Sequence, residues 1–176
     1  NHAIADPKEL IRFRAAMGHL QGDNGWELPE QAWLTLGMAP CGSAAMMTAS
    51  DLIQFARAHM NQGQTQQGKS WLTSTSVNAM QTPEVALPEM SQTIDANFGL
   101  GWGLKTYKEQ GISTYSHNGG TNGFYASLQV CPQQDTVFAI LLNGIAPEGF
   151  TATQAAMLLY PINNQLVFQI TNDLDF

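Results

Sequence analysis

Positively charged residues are scarce in this sequence, and this scarcity argues against several kinds of partner. The 176 residues include 7 Lys and Arg against 14 Asp and Glu, and the basic residues form no run. Because binding to phosphate groups requires clustered cations, we expect neither nucleic acid nor an anionic membrane surface as a partner. Apolar residues make up 44% of the chain and charged residues only 12%, so the sequence predicts a folded protein with a sizeable core.

Long apolar runs, metal-ligand spacings and most catalytic motifs are also absent. No stretch approaches the roughly 18 apolar residues that span a bilayer, and the N-terminus lacks the basic and then apolar pattern of a signal peptide. The sequence contains no P-loop, H-E-x-x-H, C-x-x-C or G-x-S-x-G motif. The four histidines show no metal-ligand spacing, so we expect neither a metal nor another cofactor.

The two cysteines leave two interpretations open. Cys41 and Cys131 lie far apart in the sequence and are either buried free thiols or one disulfide. The thiol interpretation is the simpler one, and the spacing alone does not identify the redox compartment.

Hydrophobic periodicity predicts helices in the first half of the chain. Thr48 is a candidate N-cap for the clearest of them, with Asp51 three residues later. His59 follows the apolar stripe of that helix and is interpreted as a packed residue. The predicted elements are a helix that begins at Asp6 and is stopped by Gly18, a loop from Gly22 to Gly42, a helix from Thr48 to Gly63, a weaker helix from Ser74 to Gln81 and a loop from Pro83 to Asp95.

From Phe98 onward the period of the pattern changes to two, which is typical of strands. The segments FGLGWGLKTY, ISTYSHN, GFYASLQV and TVFAILLN are strand candidates, separated by the turns QG, GGTN and PQQD. Short connections favour an antiparallel meander. The segment APEGFTATQAAMLLY predicts a covering helix, and NNQLVFQITNDLDF a further strand. The sequence thus predicts an α+β fold, with a helical and loop-rich lobe over residues 1–95 and an antiparallel sheet with a C-terminal helix over residues 96–176.

One stretch, SHNGGTNGF, interrupts this strand pattern with an imidazole and several glycines. His117 stands at a predicted strand end, beside backbone that has almost no side-chain cover. Glycine in such a place lets another molecule approach the main chain, whose N–H groups can polarise a carbonyl. The alternative is that the glycines only form a tight hairpin and that the histidine only bonds to a loop.

Four blocks in succession resemble the penicillin-recognising serine hydrolases, which comprise class C β-lactamases, D-alanyl-D-alanine carboxypeptidases and related esterases. The blocks are GSAAMMTASDLIQFARAHMNQG, FGLGWGL, SHNGGTNGFYASLQV and TVFAILLN, from about Gly42 to Leu159. The resemblance is to the C-terminal half of that family. It implies a β-lactamase/transpeptidase-like fold that is incomplete in this chain, and a periplasmic or extracellular location, with which a disulfide between Cys41 and Cys131 would fit.

The resemblance also implies roles for the residues of the interrupted strand. The family has Lys-Thr-Gly or His-x-Gly at the border of its active-site groove. Carried across, His117 takes the basic position as a catalytic residue, and Asn118 and Gly119 complete the motif as substrate-binding residues. Gly120 would offer one backbone N–H of the oxyanion hole. Gly123 and Phe124 match the glycine and aromatic residue that open the following strand in the family.

The nucleophile motif of the family is missing. No Ser-x-x-Lys or Tyr-x-Asn occurs in the sequence, and Ser76-Val77-Asn78 lies in a predicted helix. We therefore expect the chain to be the C-terminal part of a serine hydrolase that acts on a β-lactam, a D-amino-acid peptide or an ester, and to be inactive alone. Its expected partners are that substrate and the missing N-terminal segment of the same protein. A non-catalytic binding or assembly module of the same fold, and an unrelated sheet-plus-helix domain with a structural His117, are the alternatives.

Overall fold

A computed structural model describes residues 3–30, 45–88, 92–121, 123–145, 164–167 and 169. Its elements, in chain order, are a 3-10 helix Pro7–Arg12, strands β1 His19–Gly22 and β2 Gly25–Glu27, helices α1 Ala49–Met60 and α2 Ser74–Met80, strands β3 Val85–Ala86, β4 Ile94–Phe98, β5 Gly103–Tyr107, β6 Ile112–Thr121 and β7 Phe124–Cys131, a 3-10 turn Pro132–Gln134, and strands β8 Thr136–Leu142 and β9 Gly144–Ile145. No helix within the described ranges is long and apolar enough to cross a membrane.

The chain divides into two compact units, each built from separate stretches of sequence. The first unit comprises Asn1–Asp51, Asn118–Ser127 and Ile140–Tyr160, and the second comprises Leu52–His117, Leu128–Ala139 and Pro161–Phe176. The predicted boundary near residue 96 stays a prediction.

The main sheet is antiparallel, as the period-two pattern predicts. In the described residues it has six strands in the order β3-β4-β5-β6-β7-β8, so consecutive strands are neighbours and short turns suffice. Part of the segment predicted as a loop from Pro83 to Asp95 is strand, because Val85 pairs with Phe98 and the pairing of β4 with β5 begins at Ile94. The α+β prediction with an antiparallel sheet is confirmed.

Helix α1 begins where the sequence predicts. The Asp51 N–H donates to Thr48 Oγ1 (3.2 Å), as in an N-cap, and the Thr48 hydroxyl donates to the Asp51 carboxylate (2.6 Å). In the second unit, Ala56 of α1 is buried against Tyr115, Leu128 and Val130 of the sheet. Helix α2 is capped by Thr73, whose side chain accepts from the Ser76 N–H, one residue before the predicted cap.

The C-terminal segment NNQLVFQITNDLDF, predicted as a strand, is helical in its described residues. Residues 164–167 form helix, Val167 is buried with Tyr107, Ile112 and Cys131, and the Tyr107 hydroxyl donates to Asn164 Oδ1 (2.8 Å). The prediction of a strand is wrong here, because positions three apart face the same cluster, as helical periodicity requires. The helix predicted from APEGFTATQAAMLLY lies outside the described residues.

A second sheet, of three described strands, belongs to the first unit. Strand β1 pairs antiparallel with β2 and parallel with β9, with His19 opposite Gly144. The loop predicted from Gly22 to Gly42 therefore contains a strand in its described part. The segment from Asp6 to Gly18 is also shorter and tighter than predicted, because only Pro7–Arg12 is helical and the turn is 3-10.

Cys131 is a free thiol in the described structure. It is buried, and burial raises its pKa to about 11. This agrees with the interpretation of an inert, buried cysteine. Cys41 lies outside the described residues, so nothing here supports the disulfide expected from the resemblance.

Candidate active-site strand

The interrupted stretch is a strand, not a turn. Strand β6 continues through the histidine and both glycines to Thr121, so the turn predicted at GGTN is displaced toward Gly123. The register between β5 and β6 ends at Gly103 opposite Ser116. From His117 to Thr121 the strand therefore runs on beyond its last pair with β5. The division between the two units falls between His117 and Asn118.

His117 presents an exposed ring at this point. Successive side chains of a strand alternate between the two faces, which places His117 on the same face as Tyr115. That face is the one on which Tyr115 packs with Ala56 of α1. The imidazole is exposed and makes no hydrogen bond with any residue that the structure describes. The described residues therefore give this ring no structural role.

The backbone at Gly119 and Gly120 is bare and extended. Both residues are exposed within β6. A Cβ added at Gly119 would meet no atom within 4 Å, and Gly119 does not have a positive φ. The fold around this strand therefore does not require glycine at position 119, which favours the interpretation that the bare backbone serves an approaching molecule.

The variant Gly119→Ala tests whether the bare backbone at Gly119 serves a bound molecule or only the local fold. Because the added methyl group has space and the backbone is extended, we expect the free energy of unfolding to stay within about 1 kcal/mol of the wild-type value. Because the methyl group would cover the strand, we expect kcat/KM of the complete protein to fall by about tenfold or more. Urea unfolding and steady-state hydrolysis measure the two quantities, and full activity in the variant would contradict a substrate contact at this strand.

Gly123 is required by the fold of the first unit. Its φ is +75°, and an added Cβ would overlap His19 N and lie 2.6 Å from the Gly18 carbonyl carbon. The His19 N–H donates to Gly123 O (3.3 Å) and to Asn143 O (2.9 Å). The hairpin interpretation therefore holds at this glycine, where left-handed backbone and a close approach coincide.

Asn118 is directed away from the histidine. Alternation along β6 places its side chain on the face opposite His117, where Oδ1 is buried and accepts no hydrogen bond from any residue that the structure describes. The amide side chain and the imidazole therefore do not converge, and only the backbone of Asn118 lies beside His117. The sequence does not indicate that the two side chains face opposite ways, because this depends on β6 continuing past the predicted turn.

The part of the chain that the structure describes contains no cluster of metal-binding side chains. No group of three or more His, Cys, Asp or Glu residues is close enough there to hold an ion. The groups present at the strand are an imidazole, which can orient a substrate or transfer a proton, and backbone N–H groups, which can donate hydrogen bonds.

Comparison with protein families gives one match over most of the chain. A family model described as "Beta-lactamase" matches residues 3–160. Penicillin-binding protein 4 of Amycolatopsis lactamdurans is 34% identical to this chain over 150 residues, which cover 82% of this chain and 38% of that protein.

A solved structure has the same fold. The octameric penicillin-binding protein homologue from Pyrococcus abyssi matches with a TM-score of 0.66 at 16% identity, over 90% of this chain and 34% of that one. In both comparisons the chain spans little more than a third of the relative's length.

Proposed function

We propose, since this chain belongs to the beta-lactamase family of penicillin-recognising serine hydrolases, that it is the C-terminal part of a hydrolase that forms an acyl-enzyme. The proposal rests most directly on one observation: an exposed imidazole and bare, extended backbone adjoin on β6. The share of the relative that is matched, 38%, supports a larger catalytic protein.

His117 is assigned the role of auxiliary base and orienter. An exposed ring without a hydrogen-bond partner among the described residues is available to a hydroxyl nucleophile or to a leaving group. Such a side chain typically contributes a factor of about 10² to 10⁴ to the rate. Its position beyond the last pair of β5 with β6 leaves that side of the strand accessible.

The glycines are assigned to the substrate. Gly119 lets the substrate backbone approach β6, and the Gly120 N–H polarises the carbonyl that is attacked. Adjacent residues of a strand direct their N–H groups to opposite sides, so Gly119 and Gly120 cannot both donate to the same side. One N–H aimed at the developing oxyanion typically contributes a factor of about 10² to 10³.

The nucleophile is proposed to come from an upstream segment of the same protein. The 176 residues contain no Ser-x-x-Lys and no Tyr-x-Asn, so the acylated serine and its base lie elsewhere. Strand β8 forms the last edge of the described sheet, and Leu141 and Leu142 on it are exposed. An unpaired apolar edge of this kind requires cover, which the upstream segment would supply. The family resemblance further leads us to propose a periplasmic or extracellular location.

The substrate is proposed to be an ester in preference to a carboxylate-bearing β-lactam or peptide. Histidine carries no permanent positive charge, unlike lysine. The nearest lysines of the sheet do not replace it: Lys105 pairs with Thr114 and therefore lies on the face opposite His117, and Lys108 forms an ion pair with Asp95 (2.8 Å) beyond the other end of β5. An anionic group on the substrate would thus find no permanent cation among the described residues of this part of the strand face.

Hydrolysis assays on the complete protein test this proposal. We expect a short-chain p-nitrophenyl ester to be cleaved with a higher kcat/KM than a chromogenic cephalosporin, and the 176-residue chain alone to cleave neither. Activity of the chain alone would contradict an upstream nucleophile. A preference for the cephalosporin would contradict the assignment of an uncharged substrate and leave the acyl-enzyme assignment standing.

A non-catalytic binding or assembly module is the second candidate, favoured by the absence of both nucleophile motifs from the sequence. The coding region upstream of Asn1 distinguishes the two. A Ser-x-x-Lys encoded there supports the hydrolase, and its absence supports the module.

A further inference from the structure

His59 is a buried histidine that the proposed reaction does not use. Its side chain in α1 is 1% exposed, and neither ring nitrogen has a hydrogen-bond partner among the described residues. The ring centroids of Phe55, Trp71 and Trp102 lie 4.9, 5.3 and 5.2 Å from that of His59, with interplanar angles of 65°, 86° and 84°. The imidazole therefore packs edge to face against aromatic rings. In most buried histidines a conventional hydrogen-bond acceptor lies in that position.

The inner and outer walls of this aromatic cluster differ. Trp102 is buried and packs on Tyr115 of β6, at a centroid distance of 5.0 Å. Trp71 and Phe55, in contrast, are 50% and 38% exposed. The outer wall can therefore be displaced into solvent at less cost than the inner wall.

Trp71 is held over His59 by the loop that follows α1, residues 61–73, which we name the latch loop. The N–H groups of Trp71 and Leu72 both donate to Gly63 O, at 2.8 and 3.2 Å. Gly63 itself has a φ of +84° and its N–H donates to Ala58 O (2.8 Å). The return of the latch loop onto the helix thus depends on a few backbone bonds at the buried Gly63. Most other residues of the loop are exposed, which is typical of segments that open locally.

No carboxylate is placed to stabilise a charged His59 in the described part of the second unit. Asp135 of the loop before β8 is bonded to Arg57 (3.4 Å), and Asp51 is bonded to Thr48 at the far end of α1. Lys105 lies on the other face of the sheet. The titratable or charged groups on the elements packed around the cluster are Asp51, Arg57, Lys69, Lys105, Tyr107, Tyr115, His117, Tyr125, Cys131 and Asp135.

We propose that His59 makes the latch loop acid-sensitive: protonation of the buried imidazole displaces Trp71 and opens the loop. A second N–H and a full charge would then stand among aromatic rings without an acceptor, and moving Trp71 aside hydrates them. Attraction between the imidazolium and the ring faces opposes this but is weaker than the penalty for burying an unpaired ion.

The direction of the pH dependence follows from burial. Burial lowers the pKa of His59 from its ordinary value of 6.5. The closed loop is therefore fully favoured above pH 6.5 and loses stability as the pH falls from there through the lowered pKa. Each unit by which the pKa is lowered corresponds to about a tenfold shift of the opening equilibrium.

Hydrogen exchange over residues 63–72 of the complete protein tests the proposal. After correction for the intrinsic exchange rate, we expect protection to fall between pH 7.5 and pH 5 in the wild type, by about tenfold for each unit by which burial lowers the pKa of His59. His59→Phe should show no such fall, and Lys69→Gln, which changes an exposed charge on the same loop, should behave as the wild type does. An equal fall in His59→Phe, or none in the wild type, would overturn the proposal.

A titration of the His59 ring by NMR, assigned through its contacts with Trp71 and Trp102, keeps the test independent of how the variants fold. We expect a midpoint below 6.5 with the Trp71 ring signals changing over the same range. A midpoint at or above 6.5 would mean that the aromatic faces stabilise the charged ring and would overturn the proposal.

Discussion

Replacing His117 by alanine is expected to lower kcat/KM of the complete protein by about 10² to 10⁴, the usual contribution of a positioned acid-base group. The ring is exposed and bonds to no described residue, so the variant should unfold at the wild-type urea concentration. Steady-state hydrolysis of the p-nitrophenyl ester measures the loss.

A second variant separates a role in proton transfer from a merely local effect. His117→Gln keeps a hydrogen-bonding side chain but cannot act as a base, so it should lose as much of kcat as His117→Ala does. An unchanged rate in either variant would remove His117 from the proposed site.

Gly123→Ala is expected to destabilise the protein by about 2–5 kcal/mol. The estimate combines the left-handed backbone at φ +75°, which costs an L-residue roughly 1–2 kcal/mol, with overpacking, which costs about 1–3 kcal/mol. The methyl group would overlap the backbone of Gly18 and His19, which is fixed by hydrogen bonds to Gly123 and Asn143. Urea unfolding measures the change.

Gly68→Ala is the matched control for this substitution. Gly68 has nearly the same φ, +74°, but an added Cβ meets nothing within 4 Å. It should therefore show only the backbone cost, roughly 1–2 kcal/mol. Equal losses of unfolding free energy in the two variants would show that the close approach of residues 18 and 19 to Gly123 does not add to the destabilisation.

Local signals in the sequence predicted the elements that depend on local bonds. The capping residues Thr48 and Asp51 bond as their spacing predicts, and α1 follows. The alternation from Ile112 to Leu142 likewise predicted the neighbouring strands β6, β7 and β8, because each is joined to the next by a short turn.

The elements that the sequence did not predict depend on partners distant in the chain. Strand β1 is short and pairs with β9 in parallel, so its pairing is invisible in a local pattern. Strand β3 comprises only Val85 and Ala86, held by pairing with β4. The residues 164–167 contain apolar positions that fit either element, and the contact of Val167 with the Tyr107 cluster decides for helix.

The residues assigned to the candidate site stay a prediction, and the strand that carries them differs in geometry from the predicted one. The sequence pattern singles out the glycines and His117. It predicts, however, that the strand ends at His117 and that a turn follows at once, so the predicted chain reversal comes too early. Because β6 continues to Thr121, His117 and Asn118 face opposite sides, and Gly123 alone carries the turn conformation among these residues. What the sequence could not supply is the nucleophile, since no residue pattern for it occurs in these 176 residues.

Mapping the covalent acyl-enzyme tests the central claim most directly. The complete protein is trapped with a slowly released ester or β-lactam acyl group, digested, and its acylated peptide identified by mass spectrometry. The account predicts a single acylated serine in a Ser-x-x-Lys sequence upstream of Asn1, with slower acylation in His117→Ala. An acyl group mapped to a residue within these 176 residues, or turnover without any acylated serine, would contradict it.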